Sequence, residues 1–215
     1  MQTDRLSDPA LLPAGSKRAN HREVGIEDQA QRREGRVFAV SKEFGALAFA
    51  TVLALATLST IPPWRNLFTD VCHLAVLLAF LTMALLWVIR LFERALGQRR
   101  AVSMEKWQIT AFLAGMPVIY ISRWFEAGGG GASHSWLWAE ILGLFIYGAL
   151  AILGFRRWPW LLAVGIALHG IAWDAWHYLM NSAYIPDWYA IACLVADVGL
   201  SVYVAVRIPA WQRRG

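Results

Sequence analysis

One stretch near the end of the chain carries the densest chemistry: His169-Gly-Ile-Ala-Trp173-Asp174-Ala-Trp176-His177-Tyr178. On an α-helix, at about 100° per residue, Asp174 and His177 are three apart and lie within about 60° of each other. His169 and His177 lie about 80° apart, so all three fit one broad face. Acid-x-x-His spacing lets a carboxylate and an imidazole reach one metal ion, as in di-iron bundles. It equally lets the carboxylate orient the imidazole for proton transfer. A third use is packing, in which the two groups satisfy each other and lock the helix to a neighbour. Glu140 and Asp197 lie inside other apolar runs. The candidate acid–base residues are therefore Asp174, His177, Glu140 and Asp197. The candidate ligands of a divalent metal are His169, Asp174, His177 and His73. Cys72 adjoins His73, but neighbours on a helix point about 100° apart, so Cys72 reads as a small apolar residue. Cys193 reads as core packing.

Those polar groups stand out against the rest of the chain. Of its 215 residues, 58% are hydrophobic and 16% charged, with 12 tryptophans. The mean hydropathy is +0.43. Soluble domains carry about 25% charged residues, so this surface belongs in a bilayer rather than in water. Apolar runs at 44–62, 71–92, 107–122, 135–155, 158–179 and 186–206 predict six membrane-crossing helices, since about 20 residues cross about 30 Å of hydrocarbon. The third run is short and contains Gly115 and Pro117. The expected fold is all-α: a polytopic six-transmembrane-helix bundle over 43–207. A polar tail over 1–42 precedes it, either flexible or ordered by a protein partner, with a short helix near 22–34. A short basic C-terminus at 208–215 follows. The first 40 residues hold no apolar h-region, so no cleavable signal peptide is expected.

Charge then sets the orientation. Arg90, Arg94, Arg99, Arg100, Lys106, Arg156, Arg157, Arg207, Arg213 and Arg214 fall on one side of the six runs. Only Arg65 and Arg123 fall on the other. The positive-inside rule puts both termini in the cytoplasm of a bacterial cell, with the chain in its inner membrane. The formal charge of +5 follows from the same bias, and no basic motif with interleaved aromatics suggests nucleic acid. In this topology His73, Tyr120, Glu140, Asp174, His177 and Asp187 cluster toward the outer leaflet, with Asp197 deeper. The inner halves are expected to hold almost no polar groups. The reading is one shared polar cavity that opens outward. Tyr178, Asn181, Tyr184 and Tyr189 would surround its mouth, and Arg123 with Glu126 would form a rim ion pair. The glycine run beginning at Gly128 reads as a slack connector or, less simply, a lid.

No P-loop, Gly-x-Ser-x-Gly, His-Glu-x-x-His or Cys-x-x-Cys motif is present, and neither are desaturase His boxes or Asp-rich prenyl-diphosphate motifs. The run His169…Trp173-Asp174-x-x-His177, then Pro186-x-Trp188-Tyr189-x-x-x-Cys193-x-x-x-Asp197, resembles a pattern in small, uncharacterised bacterial integral membrane proteins. The resemblance covers the last two helices and names no activity. It implies that His169, Asp174, His177 and Asp197 are the defining positions. The pattern usually has a second His where this chain has Tyr178. A more distant likeness is to small polytopic membrane terpene cyclases, which use membrane-embedded carboxylates as acids, here matched by Glu140, Asp174 and Asp197.

Three functions fit these residues. The first is a membrane enzyme acting on a lipidic or isoprenoid small molecule by acid–base or metal-assisted chemistry. The second is a proton- or metal-coupled transporter or ion-binding protein, for which the inner half lacks a matching polar path. The third is an accessory subunit of a larger complex that docks through the tail.

Overall fold

The computed structural model of the chain describes residues 34, 35, 37, 41–57, 70–128 and 134–214. The expected tail over most of 1–42, the end of the first apolar run and the glycines beyond Gly128 lie outside the described residues. Contacts divide the chain into units 1–41 and 42–215, and the second is the subject below. Its elements are α1 (described over 41–56), α2 (Val71–Leu91), α3 (Glu93–Leu96), α4 (Gln98–Glu126) and α5 (His134–Arg156). Then come α6 (Trp160–Leu168), a π-helical turn (His169–Asp174), α7 (Ala175–Leu179) and α8 (Asp187–Arg214). No strand occurs among the described residues.

Three of these helices, α2, α5 and α8, are long and apolar enough to cross a membrane. Large apolar side chains stand exposed along the outside of the bundle, among them Leu81, Phe145, Ile152 and Ile171. Water-soluble surfaces rarely expose apolar patches of that extent. α2 starts where Asp70 caps it: the carboxylate accepts from Cys72 N at 2.8 Å and His73 N at 3.3 Å. Such caps contribute about 1 kcal/mol. α4 packs against α5 and α2, while α8 packs against α6, the π-turn and α7. Leu47, Leu86, Ile109, Leu113, Leu162 and Ile166 form the main core where these helices meet.

Three of the expected runs differ in the structure. α4 begins at Gln98 rather than near 107, so Arg99, Arg100, Glu105 and Lys106 are helical instead of looped. The 158–179 run divides into α6, the π-turn and α7. α8 continues through the expected 208–215 tail as far as Arg214.

The expectation of an almost apolar inner end is corrected by the structure. The bundle end that joins the start of α4 to the close of α2 and α8 holds a buried ion network. Arg207 Nε donates to Glu105 Oε1 at 2.8 Å, and Nη2 donates to Oε2 at 2.6 Å. Trp211 Nε1 donates to Glu105 Oε2 at 3.0 Å, and the Tyr203 hydroxyl also donates to Glu105. Glu43 Oε2 then bridges Arg207 Nη1 (2.7 Å) and Arg90 Nη2 (2.6 Å), and Arg90 Nη1 reaches Glu93 at 2.5 Å. The Arg207 Nη1 contact is one of charge, without hydrogen-bond alignment. Glu105 is fully buried and Arg207 is 1% exposed. By sequence alone the two arginines belong with the flanking basic residues, and Glu105 with the loop between two runs. The available signal was Tyr203, Arg207 and Trp211, four apart and therefore on one helical face.

Glu105→Ala will leave Arg207 without its bidentate partner, at a cost of about 3–5 kcal/mol. Glu105→Met combined with Arg207→Met will cost much less, because no buried charge is orphaned. Thermal unfolding in detergent measures both. Equal losses in the single and double variants would contradict this account.

Candidate functional site

The π-turn determines which groups meet. In an α-helix, residues 169 and 174 would lie about 140° apart. The wider i→i+5 turn brings residues five apart almost over one another. His169 and Asp174 thereby share a face, with His169 Nδ1 at 3.5 Å from Asp174 Oδ2. Gly170 lets α8 come close: a Cβ there would sit 2.8 Å from the Asp197 Cβ. His169 Nδ1 consequently lies 2.9 Å from Asp197 Oδ2. The shorter distance marks the hydrogen bond, and the Asp174 contact is electrostatic. The Tyr120 hydroxyl of α4 donates to Asp174 Oδ1 from the other side. Tyr120 and Tyr147 meet the imidazole edge-on, with centroids at 5.6 and 5.1 Å. His169, Asp174 and Asp197 are all buried, and their donor atoms lie within 4.8 Å of one another. His169 Nε2 and Asp174 Oδ2 have no hydrogen-bond partner in the protein.

A second buried cluster forms around Glu140 of α5. Its Oε1 accepts from the Tyr184 hydroxyl at 2.5 Å, and its Oε2 accepts from Trp173 Nε1 at 3.1 Å. Gly143 makes room for that indole, since a Cβ there would lie 2.9 Å from the ring. His177 Nε2 lies 2.8 Å from Glu140 Oε1, off the line that a ring N–H would need for a hydrogen bond. His177 Nδ1 pairs with Ser182 Oγ at 3.0 Å. Burial and the Glu140 carboxylate push the Tyr184 phenol well above its ordinary pKa, so it remains a proton donor.

The expected Asp174–His177 pair is therefore not formed. Asp174 turns to Tyr120 and His169, while His177 turns to Glu140 and Ser182. The single shared site becomes two clusters, with the Tyr120 ring against both His169 and His177 (4.8 Å). His73 joins neither group of donors. Its Nδ1 faces Asp70 at 3.4 Å and its ring packs on Trp188 at 4.9 Å. Tyr184 and Tyr189 are buried, whereas Tyr178 and Asn181 are exposed. The rim pair of Arg123 and Glu126 is present at 2.6 Å, and Arg123 Nε also donates to the Tyr184 carbonyl at 3.0 Å. Neither Ser182 nor the π-turn has a spacing signature on an α-helical wheel, so the sequence carries no signal for them.

The cavity also differs from the expected polar one. A cleft of about 510 Å³ lies between α1, α2, α4 and α8, and its walls are almost wholly apolar. Its lining includes the exposed flank residues Leu78, Leu81, Leu85 and Val118. Its polar lining includes His169, Tyr189, Cys193 and Asp197. Known ligand pockets span about 300–1,000 Å³ and pair such walls with a few polar groups. Neither Glu140 nor His177 lines the cleft. No protein-family model matches the chain, and no characterised protein or solved structure matches it either.

Tyr184→Phe removes one donor from the buried Glu140 carboxylate and will lower stability by about 1.5–3 kcal/mol. Tyr178→Phe, at an exposed position, will change it by less than about 0.5 kcal/mol. Denaturation of both variants in the same detergent compares them. Equal effects would remove Tyr184 from the Glu140 cluster.

Proposed function

We propose that the protein is an integral membrane enzyme of six transmembrane helices that acts on a lipidic or isoprenoid substrate by proton transfer. In this reading α2, α5 and α8 supply three passes. α1, α4 and the α6–π-turn–α7 unit supply the others, and their polar groups find partners inside the bundle. Both termini face the cytoplasm of a bacterial inner membrane, as the arginine distribution requires. The isoprenoid chemistry implied by the terpene-cyclase likeness agrees with this assignment.

The cleft is the observation that carries the reading. An apolar chain enters along the flank of Leu78, Leu81 and Val118, and its polar end meets His169 and Asp197. Asp197 engages Nδ1, which leaves Nε2 to take or deliver a proton. Asp174 adds negative charge beside the ring. Glu140 and His177 act as positioning residues, because they brace α5 against α7 without lining the cleft. A transporter fits less well. Along α4 and α8, Ile109, Leu113, Met116 and Leu200 fill the core between this site and the Glu105–Arg207 network.

Gly115 lines the cleft, and a Cβ placed there meets nothing within 4 Å. Gly115→Trp therefore fills the cleft without straining its own helix. Mass spectrometry of lipid held by the purified protein will find a bound species in the parent and its loss in this variant. Lipid extracts of expressing cells will show a product with the parent that His169→Gln fails to make. Identical extracts from both would overturn the enzymatic reading, and no retained lipid would overturn the cleft assignment. Topology has its own check: a cysteine at Ala127 will be labelled from outside intact cells. Protection there, with an accessible C-terminus, would reverse the orientation.

A further inference from the structure

The geometry points to a divalent transition-metal cation held by His169, Asp174 and Asp197, between His169 Nδ1 and the two carboxylates. Three observations carry this. The first is spacing. A four-coordinate cation with bonds of about 2.0–2.1 Å holds neighbouring donor atoms about 3.3 Å apart. His169 Nδ1 stands 2.9 Å from Asp197 Oδ2 and 3.5 Å from Asp174 Oδ2, on either side of that value. The second is an unpartnered atom. Asp174 Oδ2 is fully buried and has no hydrogen-bond partner, yet it faces the imidazole. Tyr120 holds the other oxygen of the same carboxylate, as outer residues orient metal-bound carboxylates.

The third is charge. Ionising both buried carboxylates would place two negative charges here, and one imidazole can neutralise at most one. The arginine ion pairs of the described residues go elsewhere: those of Arg90, Arg123 and Arg207 reach Glu43, Glu93, Glu126 and Glu105. A divalent cation with a neutral imidazole brings the site to zero, and the displaced Nδ1 proton passes to solvent. One imidazole with two carboxylates suits Zn²⁺, Mn²⁺ or Fe²⁺ rather than the all-oxygen sites of Mg²⁺ and Ca²⁺. Because His169 and Asp197 line the cleft, such a cation would meet the polar end of whatever lies there. The inference rests on the reading above only in placing substrate beside this cluster.

The test uses the full chain, purified in detergent without chelator. Elemental analysis will find about one equivalent of a transition metal per chain. Co²⁺ added to chelator-stripped protein will give the visible absorption of a bound ion. Asp174→Asn and Asp197→Asn will each weaken Co²⁺ binding at least about tenfold. Tyr178→Phe, at an exposed position outside both clusters, will leave it unchanged. A parent protein with neither metal nor a Co²⁺ spectrum overturns the proposal, whatever the variants do. So does Co²⁺ binding that survives both aspartate variants. Metal-free protein that still retains lipid sinks the metal alone, and metal-bound protein without lipid sinks the cleft reading alone.

Discussion

A carboxylate removed from water must find its donors inside the protein, and this requirement organises the bundle. Glu105, Glu140, Asp174 and Asp197 are each at most 2% exposed. Desolvation of an unpaired carboxylate costs several kcal/mol, a large share of any domain's stability. Each of these four acids is engaged from another element. Glu105 of α4 binds α8, Glu140 of α5 binds the π-turn and the segment before α8, and Asp174 binds α4. Asp197 of α8 binds the π-turn. Apolar contacts between helices are non-directional, and in lipid they give little net drive to associate. The acids therefore choose which helices are neighbours, and the Leu and Ile core fills the space between them.

The helical class and the apolar character of α2, α5 and α8 were legible because hydrophobic run length is a local property. So was the interior position of His169, Glu140, Asp174, His177 and Asp197, since polar side chains in such runs must find partners inside the bundle. Their pairing was not legible. An α-helical wheel assigns one phase to every residue, and the π-turn shifts that phase between His169 and Asp174. The wheel sets Asp174 about 140° from His169 and about 60° from His177, whereas the structure joins Asp174 to His169. Glu105 was hidden for another reason. Its neighbours Arg99, Arg100 and Lys106 gave it the look of a flanking segment, and only its partner Arg207, far along the chain, reveals it as interior. The cleft was invisible for a third reason, because it arises from helices that fail to touch.

The two clusters have different surroundings although one tyrosine ring touches both. Both Glu140 oxygens accept hydrogen bonds, and aromatic rings surround His177, including Trp136 at 5.3 Å and Trp176 at 5.2 Å. The His169 cluster keeps unpartnered atoms beside an apolar space. The two clusters thus share residue types and differ in access: His169 and Asp197 line the cleft, and Glu140 and His177 do not.

The π-turn also bears on how the site is inherited. An i→i+5 ring contains one residue more than an i→i+4 ring, so the turn behaves as a single-residue insertion within a helix. Loss of one codon between His169 and Asp174 would restore the ordinary repeat and leave every helix and every side chain type in place. Asp174 would then stand four residues after His169, about 40° away on an α-helix, so the two would still share a face. The present length wound as a plain α-helix would instead set them about 140° apart. The pairing thus depends on the winding of this turn as much as on the identity of its residues.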